Sequence, residues 1–178
     1  MEKIIIDTEQ FQRTISRISH QIIEKHSSLD NIVLVGIKRR GAEIAEMLQV
    51  RIFELIKIQL PIMSLDITFY RDDINPTTPT SEDPIYSGID NPLNIKDKEI
   101  ILVDDVLFTG RTIRAALDAL VDLGRAKKIE LVIFIDRGHR ELPIRADYVG
   151  KNIPTSRSES IQVRTLHYDG INQVALIQ

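Results

Sequence analysis

The run Ile100-Ile101-Leu102-Val103-Asp104-Asp105-Val106-Leu107-Phe108-Thr109-Gly110-Arg111-Thr112-Ile113 constrains the fold of this chain more than any other stretch. Its apolar start predicts a buried strand that ends in two adjacent carboxylates. The Thr109-Gly110 turn then opens directly into a helix. The first amides of a helix have no intrahelical partners, and its dipole favours negative charge at that end. A glycine turn there makes a ready anion site. Asp104 and Asp105 beside such a site predict a ligand that carries both a phosphate and hydroxyl groups, together with a divalent cation. A sugar phosphate meets that description.

Length and composition set the frame for this motif. At 178 residues the chain fits one domain, 1–178, with a sizeable core. A hydrophobic content of 43% and a charged content of 28% are ordinary for a globular protein. No apolar run is long enough to span a bilayer, and Met1-Glu2-Lys3-Ile4-Ile5-Ile6-Asp7 lacks the pattern of a signal peptide, so a cytoplasmic location is expected. The absence of cysteine excludes disulfides, thiolate metal sites and a cysteine nucleophile. A net charge of −3 argues against a uniformly basic nucleic-acid binder but leaves room for a local basic face.

Strands and helices alternate along the chain. Phe11, Ile15, Ile18 and Ile22 form one apolar stripe of a helix from Thr8 to about His26, with Asp7 and Gln10 as a capping pair. Arg13, Ser16, Arg17 and His20 share its opposite face. Asn31–Gly36 reads as a short strand and a helix follows from near Ala42. Alternation over Ile62–Tyr70 predicts a further strand. The region from about 71 to 92 collects most of the prolines, a composition that suits a lid or binding loop. Glu99–Asp104 and Ile129–Asp136 are predicted strands flanking an Arg111–Leu123 helix, with Gly124 as its C-cap. This alternation predicts an α/β fold with a mainly parallel central sheet and flanking helices. Ligands then belong at the carboxyl ends of the strands, where the turns after Gly36, Val103 and Ile135 fall.

One of those turns, Gly36-Ile37-Lys38-Arg39-Arg40-Gly41, sets three consecutive cations between two glycines. Glycine lets backbone approach a ligand closely, and the cations can balance several negative charges. Two anion loops at neighbouring strand ends call for a ligand with two anionic groups.

The apolar–Asp-Asp–Thr-Gly-x-Thr pattern of Leu102 through Thr112 resembles the phosphoribosyl-pyrophosphate (PRPP) motif of the type I phosphoribosyltransferases, with every position filled. The resemblance implies that family's fold, with a small hood (C-terminal elements at about 137–178) and a flexible lid loop at about 71–92. It implies that Asp104 and Asp105 face the ribose hydroxyls. Leu102, Val103, Val106, Leu107 and Phe108 would line the PRPP/UMP site, while Thr109, Gly110, Arg111 and Thr112 wrap the 5′-phosphate. Lys38, Arg39, Arg40 and Gly41 then inherit the pyrophosphate, and Arg71 reaches it from the lid as a catalytic residue. Magnesium would arrive with PRPP and take no direct protein ligand. The hypoxanthine/guanine members carry a third carboxylate three residues after the second acid. Phe108 stands there instead, and an aromatic ring cannot exchange a proton with a purine.

Further stretches are similar to the bacterial bifunctional pyrimidine-operon regulators with uracil phosphoribosyltransferase activity. They are Val35–Gly41, Asp66–Asp73 and Asp136-Arg137-Gly138-His139-Arg140-Glu141-Leu142-Pro143-Ile144-Arg145 through Thr155. That resemblance implies conversion of uracil and PRPP to UMP and pyrophosphate, with Arg137 and backbone near Ile161 at the base. It also implies that UMP or UTP controls attachment to leader mRNA of pyrimidine genes through Ser16, His20, Lys25, Arg140, Arg145 and Lys151. Transcription attenuation, no membrane partner, and a homodimer or larger homo-oligomer are further implications. A salvage enzyme without an RNA role and a purine phosphoribosyltransferase are the alternatives.

Overall fold

The computed structural model describes residues 1–70, 89–90 and 93–178. Arg71 and the rest of the expected lid region lie outside the described residues, apart from Ile89–Asp90 and residues beyond 92. Among the described residues, nine strands and four helices follow in chain order: β1 (Glu2–Ile6), α1 (Thr8–Lys25), β2 (Ile32–Ile37), α2 (Arg40–Ile56), β3 (Ile62–Leu65), β4 (Ile89–Asp90), β5 (Glu99–Leu107), α3 (Arg111–Leu123), β6 (Lys128–Asp136), β7 (Tyr148–Asn152), β8 (Ser160–Arg164), α4 (Leu166–Asp169) and β9 (Gln173–Ile177).

The central sheet runs β4-β3-β2-β5-β6-β7. The four pairings that join β3, β2, β5, β6 and β7 are parallel, and β4 adds an antiparallel edge to β3. Because side chains alternate across a strand, each central strand supplies both faces. Ile32, Leu34, Ile101, Val103, Val132 and Phe134 pack under α1 and α2. Val33, Val35, Ile100, Leu102, Leu131 and Ile133 pack under α3. The α1 stripe works as its spacing predicts. Phe11, Ile15, Ile18 and Ile22 are all buried, and the Phe11 ring lies 4.2 Å from that of Phe134. Burying each such side chain contributes about 1.5–3 kcal/mol. Asp7 caps the helix by accepting the Gln10 N–H at 2.8 Å.

Several boundaries differ from the sequence expectation. β5 does not stop at Asp104 but runs to Leu107, because β6 continues beside it and pairs Val106 with Ile135 and Leu107 with Asp136. The expected Ile62–Tyr70 strand ends at Leu65. The Asp66 carboxylate accepts both the Thr68 N–H (3.0 Å) and its hydroxyl (2.6 Å), turning the chain into a 3-10 turn over Thr68–Tyr70. α2 starts at Arg40, two residues before Ala42. A second sheet, β1-β9-β8, is antiparallel and forms the hood. It draws its first strand from residues 2–6, whereas β7, inside the expected hood region, is an edge of the central sheet.

At the amino ends of the central strands a charged knot forms around Glu130, whose side chain is 2% exposed. Tyr148 donates its hydroxyl at 2.7 Å, Lys25 Nζ lies at 3.0 Å, His26 Nε2 at 3.3 Å, and Lys128 completes the set. Burial pushes the Glu130 carboxyl up, but hydrogen bonds from Lys128, Tyr148 and Lys25 outweigh it and hold the group at about 2, below its ordinary 4.5. A folded-state value below the unfolded one stabilises the fold at neutral pH. That contribution is complete above pH 4.5 and is lost as pH falls toward about 2. Glu130→Gln is therefore expected to lower Tm at pH 7, with the difference from the parent shrinking as pH drops through this window. A Tm difference that stays constant with pH would remove Glu130 from the acid-stability account.

Candidate functional site

The first turn of α2 crosses β5 at Val103 and Asp104. A Cβ on Gly41 would stand 2.6 Å from the Val103 carbonyl and 3.2 Å from the Asp104 carboxylate. No side chain fits there, so glycine alone lets the start of α2 lie directly against the strand. Lys38 N–H bonds the Leu65 carbonyl at 2.9 Å, and the Lys38–Arg39 peptide is cis. Lys38 and Arg39 open onto a cavity of about 590 Å³ shared with Ser64, Asp66 and α4.

Asp104 is 5% exposed and Asp105 is partly exposed. Each carboxylate accepts the N–H of the next residue, Asp105 at 2.9 Å and Val106 at 2.8 Å. These bonds fix both side chains at the strand end. Burial raises the Asp105 carboxyl above its usual range, opposed by the Val106 N–H, by Asp104 and by the charge of Arg40. Gly110 holds φ +94°, a left-handed conformation, at the cap position of α3. With no side chain there, nothing from the cap residue covers the first-turn amides, and the Thr109 hydroxyl accepts the Arg111 N–H at 3.3 Å. A cavity of about 340 Å³ lined by Val106 through Ile113 and by Glu141 lies over this helix start. Its size and its donors suit a phosphate group with an attached sugar.

The outer side of this loop is braced by the segment after β6, which the sequence reading did not anticipate. Arg137 N–H bonds the Leu107 carbonyl (3.1 Å), Arg140 bonds that of Phe108 (2.9 Å), and Glu141 and Leu142 N–H bond that of Thr109 (2.9 and 3.2 Å). The Glu141 carboxylate pairs with Arg111 at 2.9 Å. Arg137 is 7% exposed, and its guanidinium stacks 4.0 Å over the Phe108 ring. It also donates to Thr155 and to the carbonyls of Ser156 and Glu159, just ahead of β8, which carries the partly buried Ile161. Arg137 thus joins Phe108 to the hood.

The six residues expected to face RNA do not share one environment. His20, Arg145 and Lys151 are exposed and Ser16 is half-buried, accepting from Arg51 at 3.2 Å. Lys25 is turned onto Glu130 (3.0 Å) and Asp147 (3.6 Å), with Tyr148 beneath it. Arg140 is internal to its loop, bonded to Asp136 and to the carbonyls of Ile144 (3.0 Å) and Phe108. Both residues expected at the RNA face are thus engaged within the fold, Lys25 by two acids and Arg140 by an acid and loop carbonyls. Arg17, on the exposed face of α1, donates to the carbonyls of Val149 and Gly150 and so joins α1 to β7, next to Lys151.

Residues 2–168 match the phosphoribosyl transferase domain. The bifunctional protein PyrR of Haemophilus ducreyi is 77% identical over 177 residues, 99% of this chain and 97% of that protein. The bifunctional protein PyrR of Pasteurella multocida is 70% identical over 177 residues, 99% of this chain and 98% of its own. The chain belongs to the PyrR group of the phosphoribosyltransferases. Solved structures agree on the fold. The hypoxanthine-guanine phosphoribosyltransferase of Bacillus anthracis superposes with a TM-score of 0.72 at 20% identity, covering 99% of this chain and 98% of that one. A hypoxanthine phosphoribosyltransferase of Staphylococcus aureus gives 0.68 at 24% identity, covering 89% and 80%.

In this phosphoribosyltransferase the bonds of Arg140 hold the loop between β5 and α3. Losing a hydrogen bond to a charged group costs about 1.5–3 kcal/mol. Arg140→Ala is therefore expected to lower Tm and to weaken UMP binding together, as read by calorimetry. UMP affinity equal to that of the parent would show that the brace is dispensable.

Proposed function

We propose that the protein transfers the phosphoribosyl group of PRPP to uracil, and that the same pocket, filled by UMP or UTP, controls its binding to leader mRNA of pyrimidine genes. It does so as a homodimer or larger homo-oligomer. The observation that carries the catalytic half is that the Lys38–Arg40 and Thr109–Thr112 segments follow adjacent parallel strands, with Gly41 against Asp104 and with Phe108 where an acid would serve a purine. Uracil N1 forms a bond to C1 of the ribose as the C1–O bond to pyrophosphate breaks. The N1 proton is released and pyrophosphate departs with the bonding electrons. The transition state carries positive charge on the sugar ring, so positioning and electrostatics supply the catalysis.

Asp104 and Asp105 hold the ribose hydroxyls and lie where positive charge develops. Thr109 through Thr112 anchor the 5′-phosphate, and Lys38, Arg39 and Arg40 receive the pyrophosphate. Arg71 joins them from the lid. Among the described residues no group of three or more His, Asp or Glu could hold a metal. Magnesium would arrive on the PRPP phosphates without a direct protein ligand, and it would supply charge neutralisation of the leaving pyrophosphate. Arg137 and the backbone near Ile161 border the base.

The RNA half is supported by the exposed cations Arg145 and Lys151, and by Arg17, which joins β7, the strand of Lys151, to the face of α1 that carries His20. Arg and Lys side chains with a ring partner suit the phosphates and splayed bases of a hairpin.

Incubation with PRPP, magnesium and each of uracil, orotate and hypoxanthine is expected to give UMP from uracil as the main product. No UMP from uracil would overturn the catalytic reading. Lys151→Ala is expected to reduce RNA affinity and lower the salt slope of log K by about 0.7–0.9, while UMP synthesis persists. Parallel loss of both, or RNA affinity that does not change, would sink the separate RNA surface.

A further inference from the structure

The loop that carries Lys38, Arg39 and Arg40 has a partner from the far end of the chain. Arg40 opens α2, and its guanidinium donates Nε and Nη2 to the two carboxylate oxygens of Asp169, at 3.1 and 2.9 Å. Two parallel N–H to oxygen bonds fix the plane of a guanidinium as well as its place. Asp169 is itself held, because its Oδ2 accepts the Thr165 N–H at 2.9 Å across the single turn of α4. α4 also touches the first turn of α2 a second time, where the His167 N–H donates to Glu43 at 3.0 Å. The C-terminal segment thus docks on the start of the helix that follows the cationic loop.

This pair differs from an ordinary surface ion pair. The Arg40 and Asp169 side chains are 32% and 17% exposed, so part of their solvent screening is gone. The pairing keeps Arg40 charged and holds the Asp169 carboxyl below its usual range. The charge of Arg40 also acts on Asp105, an acid of the ribose site. A guanidinium has five N–H donors, and Asp169 engages two of its nitrogens, so donors are left over for an anion.

We propose that Asp169 is a positioning residue for the donor substrate: its two-pronged contact holds Arg40 in the orientation that binds the pyrophosphate group of PRPP. Left without Asp169, the long Arg40 side chain must be ordered anew by each ligand that binds. Ligands with only a 5′-phosphate do not use this loop, so they are indifferent to Asp169. The inference rests on assigning the Lys38–Arg40 loop to pyrophosphate, and it does not depend on which base accepts the sugar.

Asp169→Asn keeps the shape and an acceptor for the Thr165 N–H but removes the charge. Calorimetry with Mg-PRPP, Mg-pyrophosphate and ribose 5-phosphate is expected to show the first two weakened about tenfold and the third changed less than about twofold. Asp169→Glu, which restores the charge, is expected to recover most of the loss and guards against a variant that folds poorly. In an Arg40→Gln background the Asp169→Asn change is expected to add nothing, since it acts through Arg40. Equal weakening of all three ligands, tighter PRPP binding, or additive effects of the two substitutions would each overturn the proposal. If Arg40→Gln alone leaves PRPP and pyrophosphate binding unchanged, the loop assignment has failed instead. Absence of UMP product would touch neither result, only the choice of base.

Discussion

The close passage of Gly41 over the Val103 carbonyl is the contact on which the site depends. It is a backbone-to-backbone approach at 2.6 Å from where a Cβ would stand, and no rotamer change elsewhere could relieve an added methyl. That approach makes neighbours of the first turn of α2 and the body of β5, more than 60 positions apart in the chain. β2 and β5 are adjacent and parallel, so their carboxyl ends emerge side by side. Parallel pairing brings the segments that follow them to one end of the sheet, and the glycine lets the first of these lie against the second strand.

The second organising fact is that the phosphate loop is fixed from behind. The carbonyls of Leu107, Phe108 and Thr109 each receive a donor from the stretch between β6 and β7. These bonds turn the carbonyls toward the outside of the loop, which leaves the amide side of the α3 start to face the cavity. The stack of Arg137 on Phe108 continues this brace into the hood. A pocket held this way is set before the ligand arrives, and less order has to be created on binding.

Much of this was legible in the sequence because the signals are local. The α1 stripe repeats at helical spacing over many turns, and Asp104 through Thr112 form one contiguous motif whose meaning does not depend on distant partners. What escaped the sequence reading depends on contacts between distant residues. β1 is five residues long and mostly exposed, and nothing local shows that it pairs with β9 at the opposite end of the chain. Glu141 and Asp169 look like ordinary surface acids until Arg111 and Arg40 are seen to hold them. Lys25 and Arg140 reverse that case. Each carries a charge that the sequence shows plainly, and each is paired in the fold with acceptors that local periodicity cannot reveal. Asp66 ended a strand that alternation alone would have continued.

The charged knot around Glu130 lies at the amino ends of the strands, with the candidate site toward the carboxyl ends. The sheet therefore has a pole that secures the fold and a pole that carries the candidate site, separated by the length of β6. Changes in durability and changes in catalysis can then accumulate independently. Descendants of this sequence could adapt to heat or acidity at one pole while their substrate preferences stay as they were.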